Sequence, residues 1–315
     1  QNFLRGDRSV SELVINSHAQ STWALAWRRF LKHKLAVISG CYLIFICLLS
    51  ASAPLFELLR GIDANQANLF SRFALPSSAA WLGLDELGRD VFTRLLYGGQ
   101  VSLLVGLVTA LVAALFGTIV GLIAGYRGGW VDAILMRLTD SVISLPLLPL
   151  LIVLAAIDLN KSGLPEAIIQ SENISLYRII FIVAVVGWTT VARLVRGAAL
   201  SLRERDFVLA AKVQGASAFR IMSVHILPNL ISPIIVATTL SIGNIILLES
   251  VLSFLGLGIQ PPVASWGNLL TNAQELIFSA PWLAFYPGIA IFITVIAFNF
   301  LGDGLQDALD PKAES

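Results

Sequence analysis

Long apolar runs separated by short polar segments dominate this chain. Six stretches, at about 35–56, 101–125, 138–157, 179–199, 230–250 and 286–302, are apolar over roughly the 20 residues that a helix needs to cross a bilayer core. An even number of crossings returns the chain to its starting side. The third stretch is interrupted by Pro146 and Pro149 and begins among Arg137 and Asp140. Prolines in a membrane helix predict a kink packed against neighbouring helices. Between the first two runs, Leu87, Val91, Leu95 and Leu96 share one helical face while Arg89, Asp90 and Arg94 fall elsewhere. Residues 80–100 therefore read as an amphipathic helix feeding the second span.

Composition strengthens this picture. Of 315 residues, 57% are hydrophobic and only 13% charged, about half the charged share of a soluble domain. The chain is an integral membrane protein, all-α and polytopic. A net charge of +1 and the lack of any basic cluster interleaved with aromatics exclude a nucleic-acid binder. The first thirty residues are polar and the first apolar run is long, so no cleavable leader is expected. Cys41 and Cys47 point in different directions along one helix, and His18, His33 and His225 lack ligand spacing, so neither a disulfide nor a metal site is expected.

With the N-terminus placed in the cytoplasm, most of the 21 Lys and Arg fall inside, among them Arg28, Arg29, Lys32, Lys34, Arg193, Arg196, Arg203 and Arg205. By the positive-inside rule this predicts an N-in, C-in topology. The expected organisation is a cytoplasmic segment 1–34, a first helix 35–56 and an extracytoplasmic segment 57–100. A core 101–305 follows, with five helices and a cytoplasmic loop 200–228, and then a tail 306–315.

That loop contains DFVLAAKVQGASAFRIMSVHILPN, residues 206–229. Asp206 is a candidate cap for a short helix through Phe207, Leu209, Ala210 and Ala211, and Gly215 supplies the left-handed residue that ends it. Ala216 follows, and Ser217 then caps a second helix through Arg220. Pro228 is expected to stop that helix near Leu227 and leave an elbow before the fifth span. The small Ala210 and Ala211 permit close approach of another protein surface.

Other residues divide between chemistry and packing. Glu249, in the fifth span, is a candidate pathway or gating residue, weighed against a helix-end carboxylate that reaches interfacial water or pairs with a neighbouring segment. Asn244 and Asn299 face the pathway or join helices by hydrogen bonds. Arg193 and Arg196 either contact a partner or snorkel, and Arg137 with Asp140 forms a local i,i+3 pair. Gly117, Gly121 and Gly125 recur every four residues, as close helix packing requires.

The 206–229 segment resembles the cytoplasmic EAA loop of ABC importer permeases, read as E-A-A, three residues, Gly, nine residues, then I-x-L-P. Ala210, Ala211, Gly215 and the ending at Pro228 fall at that spacing, and Leu209 replaces the acid. LGLDELGRDVFTRLLYG (82–98), AGYRGGWVDAILMRLTD (124–140), LLESVLSFLGLGIQPPVASWGNLL (247–270), APWLAFYPGIAIF (280–292) and AFNFLGDGLQDALDP (297–311) resemble blocks of the C-type permeases of dipeptide, oligopeptide and nickel importers. Leu84 and Gln306 stand where that group has Thr and Arg. The resemblance implies the type I ABC importer transmembrane fold and a non-catalytic subunit that lines half of an alternating-access pathway. Its implied partners are a second, homologous permease, two ATP-binding subunits and an extracytoplasmic substrate-binding protein.

The chain carries no G-x-x-x-x-G-K-[ST] phosphate loop, in keeping with ATP and Mg being used by partners and no cofactor being held here. An ion-coupled carrier would be expected to cluster mid-membrane carboxylates, and a membrane enzyme would need a grouped nucleophile, base or metal set. Neither pattern is present. Peptides lead as cargo, with nickel complexes, glutathione and oligosaccharides as alternatives.

Overall fold

A computed structural model describes residues 22–158, 161, 165–171 and 173–310. Arg5, Arg8, Lys312 and the ends of the 1–34 and 306–315 segments lie outside them. Within the described residues the chain is helical, with one isolated bridge between Leu84 and Asp90 and no strand. In order, α1 is Thr22–Lys32, α2 Lys34–Ala51, α3 Ala53–Arg60, α4 Val91–Arg127, α5 Gly129–Ser144 and α6 Leu147–Ala155. There follow α7 Ile174–Leu202, α8 Asp206–Val213, α9 Ala218–Phe254 and α10 Trp282–Leu309.

Helices α2, α4, α7, α9 and α10 are long and apolar enough to cross a membrane, and α5 with α6 makes a sixth crossing only as a broken pair. The predicted kink is sharper than a proline bend. Leu145 and Pro146 are both extended and the two helices meet at 87°. The ring of Pro146 disfavours helical geometry at Leu145, so the break falls one residue before it.

The glycine repeat settles the parity of the bundle. A Cβ on Gly117 would come within 2.5 Å of the Trp188 carbonyl, one on Gly121 would strike that of Ala192, and one on Gly125 would lie 2.7 Å from that of Arg196. Both sets of residue numbers rise together, so α4 and α7 pack backbone to backbone and parallel. Two parallel helices in sequence require a return crossing between them, which α5 and α6 must supply. Opposed numbering marks the antiparallel contacts: Ser102 meets Glu249 and Gly106 meets Ile246 of α9, Leu240 meets Gly302 and Gly243 meets Phe298 of α10, and Ala36 of α2 meets Gly304 while Gly40 meets Leu301. The start of α2, the α8 turn and the end of α10 therefore lie at one end of the bundle.

Burial follows the same frame. Val105, Leu151, Ile179, Val183 and Ile246 form one core between α4, α6, α7 and α9, while Val195, Val208, Ile221 and Ile226 form another at the α8 end. Large apolar side chains such as Ile44, Leu115, Phe181 and Phe292 remain exposed around the outside, as a lipid-facing surface requires.

Residues 80–90 are not helical, which corrects the expected amphipathic helix. Asp90 caps α4 by accepting the Thr93 amide and hydroxyl, both at 2.8 Å, and Leu87 and Arg89 sit in the turn before it. Asp85 organises that turn, accepting the amides of Leu87 and Arg89 at 2.9 Å and Arg89 Nε at 2.7 Å. Arg60, at the end of α3, lies 4.7 Å above the Trp81 ring and reaches Asp90 at 3.2 Å. Polar bonding folds this segment, and side-chain periodicity does not report it.

Candidate functional site

The α8 turn is built as its sequence indicates, with two corrections. Arg205 occupies the cap position and Asp206 is the first helical residue, where its carboxylate meets the positive end of the helix dipole. Leu209 is then one place beyond the position from which a capping box could form, so the missing acid removes surface charge and no cap bond. Helix α8 ends in a Schellman motif. Gly215, at φ +80°, donates to the Lys212 carbonyl, and Ala216 donates to that of Ala211, both at 3.0 Å. Ser217 accepts the Arg220 amide at 3.4 Å and starts α9.

The second correction concerns Pro228. No elbow forms, and α9 runs unbroken from Ala218 to Phe254. Residues Ile221–Ile226 adopt a π turn, with the Leu227 amide bonded to the Met222 carbonyl five residues back. That wider turn makes room for the proline ring, and Asn229 Nδ2 donates to the His225 carbonyl at 2.7 Å.

Packing divides the hairpin into two faces. Val208, Ala211, Ile221 and Ile226 are buried against α4 and α7. Phe207, Leu209, Ala210, Val213 and Phe219 face outward with Arg220, Val213 and Phe219 being 89% and 76% exposed. Its tip is therefore an apolar knuckle edged by charge. Lys212 Nζ lies 5.5 Å from the Tyr126 ring at the end of α4, which ties the hairpin to a second helix.

Two ion pairs brace the same end. Arg196 holds Asp132 through both nitrogens, at 2.5 and 2.7 Å, and Arg193 reaches Asp140 at 2.5 Å. Asp140 thus pairs across helices and not with Arg137. Each joins α7 to α5, next to the broken crossing.

Deeper in the bundle, Asn244 is exposed on α9 and shared by two clefts, of about 460 and 550 Å³. Thr190 and Ser241 line both with it. Those two hydroxyl residues were not singled out from sequence, although Ser241 sits three residues before Asn244 on one helical face. Asn299 is half-buried on α10 and lines neither cleft. Glu249 is fully buried, accepting the Ser102 hydroxyl at 3.0 Å and the Ser253 hydroxyl at 2.7 Å. Among the described residues no group of His, Cys, Asp and Glu gathers in a metal-holding arrangement.

Comparison with known proteins places the chain in a family. Residues 117–315 fit the family described as binding-protein-dependent transport system inner membrane component. Residues 21–69 fit the N-terminal transmembrane domain of oligopeptide transport permease C. The dipeptide transport system permease protein DppC of Alkalihalophilus pseudofirmus is 40% identical over 94% of this chain and 92% of its own. The glutathione transport system permease protein GsiD of Pectobacterium atrosepticum is 40% identical over 96% and 95%. The oligopeptide transport system permease protein OppC of Bacillus subtilis is 37% identical over 95% and 92%. With these matches over nearly its whole length, the chain belongs to the binding-protein-dependent transport system inner membrane component family, as a multi-pass permease subunit of an ABC importer.

Proposed function

We propose that this permease forms half of an import pathway for di- and oligopeptides, with a second, homologous permease completing it. Two ATP-binding subunits bind the cytoplasmic loops of the permease pair, the 206–228 hairpin being the one this chain supplies, and an extracytoplasmic binding protein delivers cargo at the opposite end. The hairpin end is the cytoplasmic one: Arg28, Arg29, Lys32, Arg193, Arg196, Arg203 and Arg205 gather there, as the positive-inside rule asks.

One observation carries the coupling. The exposed apolar tip continues without a joint into a helix of 37 residues, about 55 Å long at 1.5 Å per residue. A displacement of the tip by a closing ATPase pair is carried to Asn244 and the clefts along that one continuous helix. Because Leu209 replaces the family acid, this docking rests on shape and apolar burial. Asp206, Arg220 and Lys212 supply charge only at the rim.

Peptide cargo rests on the relatives named for dipeptides and oligopeptides. Glutathione, named for another relative of equal identity, is the second reading. Both are small, polar and amide-rich, and the Thr190, Ser241 and Asn244 strip offers uncharged hydrogen-bond groups to either.

The assembly purified with its binding protein should carry a retained solute identifiable by mass spectrometry, and a peptide is expected. In reconstituted vesicles, L209D combined with F219D should abolish uptake and release the ATP-binding subunits. Uptake that persists after those subunits are removed would return the chain to the class of self-sufficient carriers.

A further inference from the structure

Glu249 and its partners form a two-armed relay that reaches well beyond α9. Ser102 Oγ donates to one carboxylate oxygen at 3.0 Å and accepts the backbone amide of Trp266 at 3.1 Å. Ser253 Oγ donates to the other oxygen at 2.7 Å and accepts the amide of Ile259 at 3.0 Å. Each serine has a single proton, and each already receives a loop amide on its oxygen. With the amide on one lone pair of each serine oxygen, the single proton of each turns to Glu249, 3.0 and 2.7 Å away, and each carboxylate oxygen accepts one. A carboxylate satisfies this arrangement. A glutamine here exchanges one acceptor for an NH2 donor, which turns the facing serine's proton away and loses one of the two accepted hydrogen bonds.

The segment held by the two arms, 255–270, joins α9 to the end of the bundle opposite the hairpin. It is pressed close. Trp266 is 1% exposed and its Nε1 donates to the Leu95 carbonyl at 3.0 Å. A Cβ on Gly98 would lie 3.0 Å from the Ser265 backbone, and one on Gly267 would lie 2.6 Å from Ser250 Cα. Helix α7 adds two lighter ties, from Ser175 to the Gln260 amide at 3.2 Å and from Arg178 to the Leu257 carbonyl at 3.3 Å. Seated in this way, Pro262, Val263 and Ala264 form one wall of a cleft of about 270 Å³ whose other wall carries Glu57, Asn65 and Tyr97.

We propose that Glu249 is a positioning residue that fastens the 255–270 loop to α4 and α9 together, as a double acceptor, and so fixes the wall of that cleft. It is fully buried and lines neither of the Asn244 clefts. Its task is to let α4 and α9 hold one loop between them, at the end where solute is received on the reading given above. The fastening itself is independent of that reading.

The test uses the whole transporter in nanodiscs, where both faces are open to reagent. Cys41 and Cys47 are exchanged for Ser, and Ala264, 6% exposed, is exchanged for Cys as a reporter labelled with N-ethylmaleimide. E249Q should raise the labelling rate about tenfold, and S102A severalfold. S102A added to E249Q should add less than twofold, because both act on one arm. A second reporter, A211C in the hairpin, should label at the parent rate throughout. An unchanged A264C rate in E249Q overturns the proposal, as does an equal rise at A211C, which marks general loosening. If E249Q does not assemble, S102A and S253A decide alone, and unchanged A264C labelling in both overturns it. Labelling reports the loop whatever the cargo, so failure here and failure of the peptide reading are separable.

Discussion

Arg196 and Asp132, 64 residues apart, meet through two parallel hydrogen bonds of 2.5 and 2.7 Å. The contact clamps α7 to the first turn of α5, just after the sharp Gly128–Gly129 corner that follows α4. Fork-on-fork geometry makes this the strongest form of ion pair, and only partial exposure of both side chains limits screening.

Breaking that clamp should weaken the helix pair. D132N is expected to lower stability by roughly 1–2 kcal/mol, between the values for exposed and buried pairs. The midpoint of thermal unfolding in detergent measures it. The exchanged pair D132R with R196D should recover most of the loss, and no recovery would show that the residues act separately.

The glycine repeat yields the sharpest steric prediction. A side chain at Gly121 meets the Ala192 carbonyl, a backbone atom that cannot step aside. G121L should cost more than about 3 kcal/mol, as overpacking of a fixed contact does at its upper end, and should appear as aggregation on size exclusion. Gly197 has nothing within 4 Å of its would-be Cβ, so G197A should be neutral or stabilising by up to about 1 kcal/mol.

The hairpin turn makes a different demand. Gly215 has open space around it, but its φ of +80° lies in the left-handed region. G215V should cost roughly 1–3 kcal/mol locally through strain while membrane insertion continues unchanged. Because the turn carries the exposed tip, ATP hydrolysis should become uncoupled from uptake. Vesicles that import normally with this variant would remove the hairpin from the coupling path.

Asn244 can be probed by accessibility. With the two native cysteines exchanged for Ser, N244C should react readily with a small thiol reagent, and cargo added in excess should slow the reaction at least threefold. Unaltered labelling with saturating cargo would exclude this strip from the pathway.

Much of this architecture was legible in the sequence, and the exceptions have physical causes. Apolar length alone marked the membrane runs, and the four-residue glycine spacing marked a close helix contact. The partner helix was not readable, because it lies some 70 residues on. Pro228 signalled a stop that the π turn at Ile221–Ile226 absorbs, since a helix with one wider turn accommodates a ring that a regular one rejects. Arg137 and Asp140 have the spacing of a local pair, yet Arg193 of α7 takes the carboxylate. The 80–90 segment misled because Leu87 and Val91 share a helical spacing that Asp85, through three hydrogen bonds, overrides. Ser253, four residues after Glu249 on the same face, was a visible partner. Ser102 was not, standing 147 positions away.

The glycine ladder leaves α4 and α7 without slack. Backbone ridges seated directly in backbone grooves cannot rotate past one another, and sliding would have to jump a whole four-residue rung, about 6 Å. The two helices therefore behave as one girder, parallel and inseparable. Any change of shape in this subunit falls on what hangs from that girder: the α5–α6 crossing, already cut at Leu145 and Pro146, and the long α9 rod beside it.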